Sequence, residues 1–126
     1  MKYLCLVIVD EKKLNAMPRD DFHTLVDESL AYDNVLRKSG NFLAAHALEF
    51  VSSAKTIRAL NGNTLVTDGP FAETREQIGG FILMEAQDLN EAVRLASKVP
   101  VLRLGAVEVR PVKELVASDQ GGASAH

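Results

Sequence analysis

The 126 residues contain one cysteine, Cys5, and no tryptophan. A lone thiol cannot close an intramolecular bridge, so a disulfide framework is excluded and the reducing cytoplasm is the expected compartment. Long hydrophobic runs are missing as well, because none approaches the roughly 20 apolar residues that span a bilayer. The first apolar run, Tyr3–Val9, follows a single charge at Lys2 and stops at Asp10, so no signal peptide and no membrane association are expected. Nor does one sign of charge dominate: 14 basic against 17 acidic residues leave a formal −3. The pairs Lys12-Lys13 and Arg37-Lys38 form no basic stripe, and nucleic acid is not an expected partner. There is no phosphate loop, no Cys-x-x-Cys pair and no Gly-x-Ser-x-Gly elbow. The histidines His23, His46 and His126 lack metal-ligand spacing, so neither a metal nor another cofactor is expected.

What is present is ordinary globular material, 47% hydrophobic and 25% charged. A chain of this length forms one domain and buries roughly two-thirds of its unfolded surface. Tyr3–Val9 reads as a strand buried on both faces, since it is β-rich and does not alternate. Pro18 opens a helix in which Phe22, Leu25, Val26 and Leu36 share one stripe, with Tyr32 at its edge; Gly40 stops it. Phe42–Phe50 reads as a second strand. Asn61-Gly62 between Thr56–Leu60 and Thr64–Thr67 predicts a type I′ hairpin, because both turn positions need positive φ. Phe81–Met84 is another central strand, Asp88 caps a helix that Pro100 ends, and Ala106–Val112 alternates as an edge strand. Residues 116–126 read as a flexible tail after a domain spanning 1–115.

The order is therefore the βαββαβ split unit of a ferredoxin-like α+β fold, with an inserted β-hairpin. Helices in that topology cover one sheet face. The bare face predicts a homodimer by sheet-to-sheet packing, a dimeric α+β barrel.

Three features interrupt the pattern. Ser29 and Asp33 project into the middle of the first helix's apolar face, at about 100° per residue. A carboxylate there is costly unless paired or open to a water-filled pocket, so a polar pocket beneath the helix and a boundary position open to solvent both remain. His46 lies in the apolar stretch Leu43–Leu48, which predicts an imidazole partly removed from water. Its strand face stays open, as does the plainer role of a core histidine bonded to backbone. Beside a carboxylate it would serve as a general base. The third feature is Asp68-Gly-Pro-Phe71 with Glu73, Thr74, Arg75 and Gln77: turn chemistry, a Thr74-x-x-Gln77 helix-starting box, and charges able to line a pocket mouth.

Asp68-Gly-Pro-Phe71, Glu73-Thr74, Glu76-Gln77, Gly79-Gly80-Phe81 and Val107–Pro111 together resemble the DGPF-type members of the YCII-related domain family, over about residues 2–115. The resemblance implies a bacterial cytoplasmic dimer with a small pocket, some relatives being lyase-like enzymes on ring compounds. It also implies a helix-borne catalytic histidine that this chain lacks, since His23 falls well before that position.

The favoured expectation is cofactor-independent proton transfer or elimination. His46 and Asp33 would form the acid–base pair, and Ser29, Asp68, Glu73 and Arg75 would bind the small-molecule substrate. A ligand-binding or regulatory dimer without catalysis, and a purely structural dimer, are the alternatives.

Overall fold

A computed structural model describes residues 1–118. Strand β1 (Lys2–Asp10) alternates: Tyr3, Cys5, Val7 and Val9 are buried, whereas Leu4, Leu6 and Ile8 are only partly covered. The unbroken apolar run thus serves two faces with different neighbours. Asp10 ends the strand and accepts hydrogen bonds from the Lys12 and Lys13 amides (3.1 and 3.3 Å), capping a one-turn helix α1 (Glu11–Asn15). That helix was not legible, because five residues carry too short a period to read.

Helix α2 (Arg19–Lys38) has Asp20 and Asp21 in its first turn and Arg37 and Lys38 in its last, matching the helix dipole. Gly40 leaves it at φ 79°. Its Leu36 is fully buried against the sheet, a burial that stabilises by about 1.5–3 kcal/mol. Strand β2 (Phe42–Ala47) bulges after Phe42 and stops short of the expected Phe50, where the Val51–Ser53 turn begins.

Strands β3 (Lys55–Leu60) and β4 (Asn63–Asp68) form the hairpin, with Asn61 and Gly62 at φ 50° and 80°. They make their own two-stranded sheet. Strand β5 (Glu76–Glu85) begins where the sequence suggested a helix start. Gln77 spends its amide on the carbonyls of Ala72 and Thr74 (2.7 and 3.1 Å), which closes the loop before the strand. Helix α3 (Leu89–Ala96) is capped by the Asp88 carboxylate on the Glu91 amide (2.9 Å); Pro100 opens the following single-turn segment Pro100–Leu104. Strand β6 (Gly105–Pro111) closes the sheet.

The main sheet has the order β2-β5-β1-β6, antiparallel throughout, so β1 and β5 are central as expected and the fold is ferredoxin-like. Helices α2 and α3 lie on one face, over a core of Tyr3, Cys5, Leu36, Ile82 and Met84. The opposite face presents Leu4, Leu6, Phe81 and Leu83 in register, with Glu108 and Arg110 beside them. Of the expected tail, residues 119–126 lie outside the described residues. No described helix is long and apolar enough to cross a membrane.

Candidate functional site

A cavity of about 360 Å³ opens between α2 and the sheet. Its size falls within the range of small-molecule sites. Leu25, Ser29, Tyr32 and Asp33 form its roof, β1 and β5 its floor through Val7, Val9 and Ile82, and Val99-Pro100-Val101 one end.

The floor depends on Gly79-Gly80. The register of β1 against β5 slips between Val7 and Ile8, and Gly79 occupies the resulting bulge. A Cβ on Gly79 would sit 2.6 Å from the Val9 side chain, and one on Gly80 would sit 2.8 Å from the His46 carbonyl oxygen. Two bare glycines therefore keep the floor open and let β2 approach. In the sequence they stand out only within the family-like motif Gly79-Gly80-Phe81, yet adjacent glycines inside a strand are a readable bulge signal.

Each polar group in the roof is held differently. Ser29 donates its hydroxyl back to the Leu25 carbonyl (2.8 Å), and Tyr32 donates to the Leu95 carbonyl on α3 (2.6 Å). Both keep acceptor lone pairs. Asp33 is half-buried, and that burial pushes its carboxyl above the usual aspartate range; the Arg37 charge one turn on offsets only part. Arg37 itself stacks over the Phe42 ring at 4.2 Å and donates to Asn34 (2.6 Å). The Ser29–Asp33 interruption of the apolar stripe thus falls on the cavity beneath the helix, with Asp33 still partly open to solvent.

His46 departs from expectation. It is exposed, and its register partner is Phe81, which also pairs with Leu6 on the sheet face away from the helices. The two rings stand 5.8 Å apart at 58°. Ala45 packs toward the core instead. Strand β2 borders the cavity at His46, but strand alternation sends the imidazole to the face opposite Asp33. The expected His46–Asp33 pairing beneath the helix is corrected accordingly.

The loop residues are also elsewhere. Asp68, Glu73 and Arg75 are exposed and do not line the cavity. The Asp68 carboxylate is paired with Lys55 at the hairpin's base. Backbone groups hold the Asp-Gly-Pro turn: the Gly69 amide donates to the Ala54 carbonyl (2.8 Å) and the Thr56 hydroxyl to the Gly69 carbonyl (2.9 Å). Among the described residues, no three His, Cys, Asp or Glu side chains converge as a metal site.

Residues 1–116 match the YCII-related domain. The chain belongs to the YCII-related domain family. A protein of Rhizobium meliloti is 32% identical over 114 residues, covering 89% of this chain and 92% of that protein. Among solved structures, it is similar to 5-chloro-2-hydroxyhydroquinone dehydrochlorinase from Burkholderia phenoliruptrix, solved in complex with 2,5-dihydroxybenzoquinone. That likeness has a TM-score of 0.51 at 19% identity and covers 90% of this chain and 95% of the other, a likeness of fold. In this YCII-related chain, the cavity's polar set is Ser29, Tyr32 and Asp33. The Val99–Val101 end wall carried no advance signal, since its place in the cavity comes from the Pro100 turn packing against α2; Tyr32 was readable only as the stripe's edge, and its bond to Leu95 on α3 fixes it in the roof.

Proposed function

We propose that the protein is a small-molecule enzyme in which Asp33 transfers a proton within the α2–sheet cavity, in an elimination or related proton transfer. The observation that carries this reading is a half-buried carboxylate facing a mostly apolar cavity. A carboxylate whose pKa is raised by desolvation is the stronger base for a carbon-bound proton. In an elimination it would take that proton, the C–H electron pair would become the new double bond, and the leaving group would depart as an anion. Ser29 and Tyr32 would orient the substrate through their free lone pairs. The dehydrochlorinase of similar fold supports the reaction class.

The test follows halide release and solvent deuterium incorporation from chlorinated hydroxyquinols and cyclic ketones. Asp33→Asn should lower either rate by about 10²-fold or more, and His46→Ala should leave it near wild type. Equal rates for Asp33→Asn and wild type overturn the reading. The separation of His46 from Asp33 favours one alternative, ligand binding without turnover, in which both variants bind and neither they nor wild type react.

The same reading takes the working form as a homodimer. Leu4, Leu6, Phe81 and Leu83 form a partly exposed apolar face outside the core beneath α2 and α3, and a second sheet would bury it. Sedimentation should give twice the 13.7 kDa of the chain.

A further inference from the structure

We propose that the α2–sheet cavity selects uncharged or cationic ring-sized molecules bearing a hydrogen-bond donor, and rejects carboxylates. This rests on the cavity being the small-molecule site and adds the substrate's charge. Among the described residues, no lysine or arginine side chain lines the cavity. Three guanidiniums on the surrounding elements hold partners outside it. Arg37 lies over Phe42 and bonds Asn34, Arg94 on α3 pairs with Glu91 (3.6 Å), and Arg103 after the Pro100 turn pairs with Glu28 (2.6 Å). Arg75, expected from the sequence among the substrate-binding residues, is not in the wall.

The polar atoms that do face the cavity accept hydrogen bonds. Ser29 and Tyr32 have already donated their hydroxyl protons to Leu25 and Leu95, and an ionised Asp33 has only acceptor oxygens. A bound carboxylate would lose its water, find no free donor on these three side chains and face a like charge, and each of these opposes binding. A hydroxyl or ammonium group meets three acceptors instead. The remaining wall, including Val7, Leu25, Ile82 and Val101, is apolar and suits the body of a ring.

The probes are benzylamine, benzyl alcohol and benzoate, which share a ring and differ in charge. Binding is read from amide chemical-shift changes at Gly79 and Gly80 on the cavity floor. The expected result is benzylamine or benzyl alcohol binding at least tenfold more tightly than benzoate. Asp33→Asn should narrow that gap to within threefold, because the amide removes the charge and supplies a donor. Benzoate binding as well as either other probe overturns the charge rule while leaving the cavity as a ligand site. A gap that survives in Asp33→Asn overturns the assignment of selectivity to that carboxylate. If no probe moves the floor amides, the small-molecule reading of the cavity fails and takes this proposal with it.

Discussion

The two faces of the four-stranded sheet are built from the same strands and nearly the same side chains, and they meet different surroundings. On β1, Cys5 is fully buried beneath the helices while Leu6, its immediate neighbour, is only partly covered. On β5, Ile82 joins the core and Phe81 stands outside it beside His46. An unbroken apolar strand therefore reports that both faces want cover, and says nothing of what covers each. On one side the answer is α2 and α3, with a cavity left between α2 and the sheet. On the other, neither α2 nor α3 packs, and Leu4, Leu6, Phe81 and Leu83 are only partly covered by the described residues.

The largest effects should come from contrasting those faces. Leu36→Ala empties a fully buried site under α2 and should cost about 2–5 kcal/mol, whatever the protein concentration. Leu6→Glu on the open face should spare the protomer's core and instead shift sedimentation to the single-chain mass, with melting no longer dependent on concentration. Equal, concentration-independent losses from both would mean that the open face is held within the chain.

Asp33 gives a smaller effect of opposite sign. Its folded-state pKa is raised, so the folded protein holds this proton more tightly than the unfolded chain. Stability from this group is present below the ordinary aspartate pKa and falls as pH rises through the raised value. Asp33→Asn should therefore melt higher than wild type at pH 7, by less than about 1 kcal/mol for a group this open to solvent. That corresponds to about 1–3 °C, shrinking toward zero near pH 3 in thermal melts. A variant that melts lower at pH 7 would show the carboxylate to be structural.

The smallest effect belongs to the loop that looked most specific. Asp68 is exposed and its carboxylate pairs with Lys55, so Asp68→Ala should cost at most about 0.5 kcal/mol. Thr56→Val should cost more than this in the same melts, because the Thr56 hydroxyl holds the Gly69 carbonyl. The reverse order would return the turn to Asp68.

Much of the architecture was legible because its signals are local. Asn61-Gly62 requires positive φ at both positions, Asp88 meets its own helix's amide three residues on, and the α2 stripe repeats within one element. Those demands bind neighbouring residues, so the chain order alone conveys the main strands, α2, α3 and the hairpin, and hence the ferredoxin-like topology. The interruption of the stripe by Ser29 and Asp33 was local too, and it located the pocket's roof. What tertiary structure decided is everything that depends on register. The slip at Val7/Ile8, the bulge after Phe42 and the pairing of His46 with Phe81 place side chains on one face or the other. A single-residue change of register reverses the face, and a stretch such as Leu43–Leu48, apolar on both sides of His46, carries no alternation to record it. Asp33 could be placed from its helix; His46 could be placed only once its strand had found a partner.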